Sequence, residues 1–188
     1  MRWVRISCER IAAQQAERAA EHFALADDDV DRLIDVVRCL HTCLMGTMTA
    51  ALNGSAGVGA LADKQRKKAL ADLEVDIPFF EERTLTFREL VAALQEPGRL
   101  QLSPALTFSE EQLKWLGRLD EYRALSDHPK PTSWSVSEWD VRMAVQTVAA
   151  VLPRIKKAGG HWHTANVSTR FDVGISSILA KSENRVEK

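Results

Sequence analysis

Arg123 and His128 are separated by four residues in the stretch Leu119 to Val136, which reads LDEYRALSDHPKPTSWSV. Arginine offers a permanently charged fork of donors matched to phosphate oxygens. Histidine offers an imidazole that ordinarily titrates at about 6.5 and so suits proton transfer near neutrality. Together the two types fit chemistry at a phosphate, one holding charge and the other moving a proton. Five positions turn through about 140° of a helix, so the side chains diverge on a straight one. Pro129 disfavours helical geometry at His128, which places that ring at a helix exit where it can swing back towards Arg123 or across to another chain. Its position beside Asp127 and a helix C-terminus favours the protonated form. A plainer reading also fits the spacing: Arg123 and Asp127 form an i,i+4 ion pair and His128 caps a carbonyl. Tyr122, Ser126 and Lys130 flank the pair as candidates for positioning substrate, and Tyr122 equally suits the core.

Other candidates carry less. His161 and His163 lack a Cys, Asp or Glu cluster that would complete a metal set. His41, between Cys39 and Cys43 in an apolar run, reads as a satisfied core histidine. Gly54, Gly57 and Gly59 follow a helix, whereas phosphate loops follow a strand and open one. The basic run Lys64, Arg66, Lys67 and Lys68 reads as a solvated face. Trp134 and Trp139 read as packing residues that pin the proline-rich loop to the next helix. No metal and no cofactor is called for.

The elements that must position the pair are helical. Ile11, Ala12, Ala16, Ala19 and Phe23 make an apolar stripe over about Ile6 to Ala26. Asp27, Asp28 and Asp29 then serve as caps for a second helix beginning near Val30, with apolar residues every three or four positions to Leu52 and a stop at Asn53-Gly54. Shorter helices follow over Ala62 to Leu73 and Leu85 to Glu96, the latter stopped by Pro97-Gly98. Ser109 and Gln112 form a capping box ahead of a helix running to Asp127, with Leu113, Leu116, Leu119 and Tyr122 on its inner face. Ser137 caps a last long helix that Pro153 bends or weakens. The expected fold is all-α: an antiparallel helical bundle with short inserted helices over residues 1–158. Residues 159–188 form a weakly structured C-terminal extension, open between hairpin, helix and loose tail.

At 188 residues the chain is long enough for one domain with a substantial core. Its 25 basic and 26 acidic residues give a net charge of -1, so any contact with a polyanion must come from a local patch. Three cysteines and the absence of a continuous apolar N-terminal segment favour a reducing, cytoplasmic setting. The run from Cys39 to Ala62 has no charged residue, but its threonines, Asn53 and crowded glycines argue against a membrane span.

Taken with the order of the surrounding residues, the motif resembles the HEPN superfamily, in particular an uncharacterised bacterial HEPN-like family with an arginine, four residues, a histidine, then a proline and a Trp-Ser pair. Arg123, His128, Lys130, Pro131, Trp134 and Ser135 match that pattern. Upstream, Ala50-Ala51-Leu52-Asn53-Gly54 leading into Gly57-Val58-Gly59-Ala60-Leu61 and Lys64 matches the segment after the family's core helix. The matches cover roughly Ile34 to Leu152. The resemblance implies a helical bundle that pairs with a second copy and, in many members, a metal-independent endoribonuclease of toxin–antitoxin type. In that chemistry an RNA 2′-hydroxyl attacks the neighbouring phosphate, with Arg123 and His128 supplied by two protomers. It also implies RNA or nucleotide as ligand, and a protein antitoxin or a nucleotidyltransferase as partner. A non-catalytic HEPN module binding nucleotide, RNA or protein is the alternative. Ala124 stands where active members usually carry a polar residue.

Overall fold

The computed structural model describes residues 6–53, 58–71, 84–127, 135–160, 162 and 164–186. Among them every regular element is helical, with one isolated bridge between Leu61 and Thr84. In chain order the helices are α1 (Cys8–Leu25), α2 (Arg32–Asn53), α3 (Asp63–Ala71), α4 (Phe87–Leu94), α5 (Glu110–Asp127), α6 (Glu138–Ala158) and α7 (Ala165–Val186). The expected all-α bundle is the observed one. No described helix is long and apolar enough to cross a membrane.

α2 is the central element, and α1, α4, α5 and α6 all pack on it. Its apolar repeat buries Val36, Leu40, Cys43, Leu44, Met48 and Leu52 completely. α1 carries the fully buried Ala12, Ala13, Ala16 and Ala19, with Ala12 against Gly46 of α2. Such small side chains let two helix backbones approach closely. The approach is so close at Gly46 of α2 that a Cβ there would lie 2.8 Å from the Cys8 carbonyl oxygen.

Contacts along the seams fix the directions. α1 and α2 run antiparallel, with Gly46 beside Cys8 and Asp35 beside His22. α2 and α5 also run antiparallel, with Arg38 on Asp127 and His41 on Asp120. α6 runs parallel to α2, since Arg142 bonds Ala26 and Asp27 at one end while Gly159 abuts Ala51 at the other. α7 runs parallel to α1, from Glu17–Arg170 to Ala24–Lys181.

Local chemistry sets the helix ends. Ser109 and Gln112 form the expected reciprocal cap, with each backbone N–H donating to the other's side chain at 3.1 and 3.2 Å. Leu113 is 37% exposed, however, and Trp115 joins Leu116, Leu119 and Tyr122 on the inner face instead. α4 begins at a capping box between Thr86 and Glu89. α2 begins at Arg32, slightly later than expected, after a turn in which Asp29 accepts from the Asp31 N–H and pairs with Arg32. Asp27 binds Arg142 of α6 and Lys181 of α7, both at 2.9 Å, and so ties these two helices to the turn after α1. α6 continues through the exposed Pro153 to Ala158.

The expected weak C-terminal tail is replaced by an ordered helix. α7 spans 22 residues and packs on α1 and α6. Val167, Phe171, Ile175 and Ile178 are its buried face, and they recur at three- and four-residue steps. Read as an alternating strand pattern, the same residues look thin, because Ser168, Thr169 and Val173 fall between them. Gly174 lies against the Ala16 backbone, where a Cβ would approach to 2.7 Å.

Gly59 serves packing as well. A Cβ there would overlap the Leu52 carbonyl at 1.7 Å, and Ala60 N–H donates to the Asn53 side chain. Gly59 and Ala60 thus lie against the end of α2. Gly54, Gly57, the His161 and His163 pair, and Trp134 lie outside the described residues. Trp139 is 63% exposed, and its ring meets that of Trp115 edge-on at 6.0 Å between centroids.

Candidate functional site

α5 is described as far as Asp127. His128 and Lys130 themselves lie outside the described residues. Arg123 is on the last full turn of α5, with its side chain 40% exposed. Its Nε lies 2.9 Å from Asp127 Oδ2, the i,i+4 pair that the spacing also allowed. No hydrogen bond joins Arg123's terminal guanidinium nitrogens to a described residue, and Ser126 Oγ donates to its carbonyl at 2.8 Å.

An aspartate at a helix C-terminus faces the negative end of the helix dipole, and α5 has no basic residue in its last turn. The cation comes from α2 instead. Arg38 donates from Nη2 to the Ser126 carbonyl at 2.6 Å and from Nε to Asp127 Oδ1 at 3.1 Å. It therefore satisfies one orphan carbonyl of α5 and neutralises the terminal carboxylate together. Asp127 is held between two guanidiniums, those of Arg38 and Arg123.

One turn further along α2, His41 is buried and its Nε2 donates to Asp120 Oδ1 at 3.0 Å. The ring stacks on Phe87 of α4, with centroids 5.3 Å apart and planes 24° from parallel. Burial lowers the histidine's proton affinity below the ordinary range, and the hydrogen bond to Asp120 opposes that; Arg123 lowers it further and Asp127 raises it. The satisfied core histidine expected from sequence is thus observed, but one edge of it is not sealed. His41, Met45, Thr86, Phe87, Arg88, Asp120 and Arg123 line an open cleft of about 320 Å³ between α2, α4 and α5.

Tyr122 and Ser126 lie on another face of α5. Both line a separate, mainly apolar cavity of about 280 Å³ with Val30, Leu33, Ile34 and Val37 of the α2 region and Val136 and Val141 near α6. Tyr122 is buried, and burial with the nearby Asp140 raises its phenol's pKa. The structure therefore brings Tyr122 and Ser126 together, and separates them from the cleft that Arg123 lines.

The site residues missed in the sequence are Arg38, Arg88 and Asp120. A signal was present: Asp120, Arg123 and Asp127 recur at three- and four-residue steps on α5, and Arg38 and His41 are three apart on α2, so each set shares a helix face. Nothing in the sequence says that the two stripes meet. Among the described residues no group of three or more His, Cys, Asp or Glu is placed to hold a metal ion. The cysteines are free, and burial raises the pKa of each thiol, so none has the lowered pKa of a reactive thiolate.

No protein-family model, no curated protein sequence and no solved structure matches this chain.

Proposed function

We propose that the chain is a HEPN-type, metal-independent endoribonuclease in which Arg123 and His128 act on an RNA phosphate, each contributed by two copies of the chain. The observation that carries this reading is the placement of Arg123, with its guanidinium on the wall of an open cleft, one turn before Asp127, the residue that precedes His128 in the chain. In the reaction the 2′-hydroxyl gives its proton to one imidazole as its oxygen bonds to phosphorus, and the departing 5′-oxygen takes a proton from the other. Arg123 holds the negative charge that gathers on the phosphate oxygens between those events. Two proton transfers need two titrating groups, and a two-fold axis near the motif supplies both.

A second reading is a non-catalytic HEPN module that binds nucleotide, RNA or a protein partner, and the exposed Ala124 favours it. Methyl replaces a polar side chain there and offers the motif no hydrogen bond. The two readings separate when the protein and a His128→Ala variant are incubated with mixed RNA in chelator. Cleavage by the parent alone supports the nuclease; equal, negligible cleavage by both retires it.

A further inference from the structure

We infer that the cleft between α2, α4 and α5 takes the phosphate of a ribonucleotide, with Arg88 and Arg123 as its cationic walls and His41 as the group that shares a proton with it. The ribonucleotide rests on the reading of Arg123 proposed above; the phosphate site stands on the cleft's own groups.

The charges within the cleft are two guanidiniums and one carboxylate, and the carboxylate is already engaged by His41. Arg88 is exposed and has no ion pair with a described residue. Among the described residues Arg123 is engaged at Nε alone, which leaves its terminal nitrogens for a ligand. Donors of this kind, unspent and converging from two helices, suit an oxyanion better than any neutral group. His41 uses Nε2 on Asp120, and its second ring nitrogen makes no hydrogen bond to a described residue. A histidine anchored through one nitrogen by a carboxylate has its ring orientation fixed and the other nitrogen available, the arrangement a proton-transfer group requires. Phe87 and Met45 give the cleft an apolar wall beside these groups. Its size is at the small end of ligand sites, enough for a phosphate with the adjoining sugar.

The charged groups around His41 are Asp120, Arg123 and Asp127 on α5 and, in the same cleft, Arg88 on α4. A bound phosphate adds negative charge to that set and so favours the imidazolium. In this way ligand and proton bind together, and the cleft supplies a second titrating group within one chain, in addition to His128.

The test adds uridine 3′-monophosphate to the whole chain at pH 6, with calorimetry and the histidine ring resonances as readouts and His41→Gln to assign the signal. Saturable binding is expected, with the His41 resonances displaced and their titration midpoint raised. Arg88→Ala, an exposed change that leaves the circular dichroism spectrum intact, weakens binding about tenfold by removing a charge-assisted hydrogen bond. His41 signals unmoved at saturation, or unchanged affinity in Arg88→Ala, overturn the site and leave His41 a structural partner of Asp120. Inorganic phosphate binding as tightly as the nucleotide overturns the ribonucleotide assignment. A chain that binds the probe through these residues yet leaves RNA uncut supports the site and rejects the nuclease reading alone.

Discussion

Arg38 and Asp127, 89 positions apart in sequence, join at 3.1 Å and close the C-terminal end of α5 onto α2. The same arginine takes the Ser126 carbonyl, so one side chain of the central helix holds the last described turn of α5. Arg123 is the other cation on Asp127, so the proposed motif shares this anchor.

Replacing Arg38 by alanine removes both contacts. Each partner is partly exposed, with side chains 44% and 33% accessible, so the pair is screened and contributes about 1 kcal/mol or less. A loss of that order lowers the melting temperature by roughly 2–4 °C in a protein of this size. RNA cleavage is expected to fall further than stability does, since the exit of α5 loses its anchor. A variant with full activity and lowered melting temperature would show that the anchor serves stability only.

Arg123→Ala is expected to reduce RNA cleavage by about 10²–10³-fold, the usual effect of removing one transition-state donor. Arg123→Lys restores little of it, because an ammonium lacks the planar fork. Thermal unfolding changes little in either variant, since the pair with Asp127 is a partly exposed i,i+4 contact on one helix. Cleavage at the parent's rate in Arg123→Ala rejects the role assigned to this residue.

The sign of the pH effect follows from burial of His41. Its folded-state proton affinity is below the ordinary value of 6.5, so the unfolded chain binds more protons as pH falls past that point. Its contribution is complete above about 6.5 and is lost as pH falls towards its folded pKa. Asp120→Asn removes the carboxylate that favours the imidazolium, which lowers the folded pKa and extends the loss to lower pH. Urea unfolding between pH 7.5 and 5, with the His41 resonance followed in parallel, measures both. Glu17 acts in a lower window: its pair with Arg170 lowers its pKa below 4.5, and that contribution is lost as pH falls through the lowered value.

Two glycines in helices should respond oppositely to alanine. At Gly174 of α7 a Cβ would meet the backbone of Ala16 and Glu17 at 2.7–2.9 Å, so α1 and α7 must separate, at a cost of about 1–3 kcal/mol. At Gly117 of α5 nothing lies within 4 Å, and alanine stabilises by about 0.5–1 kcal/mol through its helix propensity. Urea midpoints that shift in the same direction in both variants contradict the close packing of α7 on α1.

Phe171→Ala tests whether the last helix belongs to the core. The ring is completely buried and meets the Trp162 ring edge-on at 4.8 Å. Its removal is expected to cost about 3–5 kcal/mol. A change under 1 kcal/mol in chemical unfolding would mean that α7 is dispensable to the bundle.

By itself the sequence determined the helical class and most helix positions. Apolar spacing and capping residues are local signals, and helices form from local contacts. It also marked Arg123, Asp127 and His41 as residues of interest, though not as neighbours. Only the tertiary structure decided that Arg38 would close α5, that His41 would find Asp120 79 positions away, and that Arg88 would complete the wall of their cleft. The reason is geometric: a helix period says which residues share a face, but which faces meet, and in which register, is set by packing. α7 shows the same limit, because its buried residues become a coherent stripe only against the alanine face of α1.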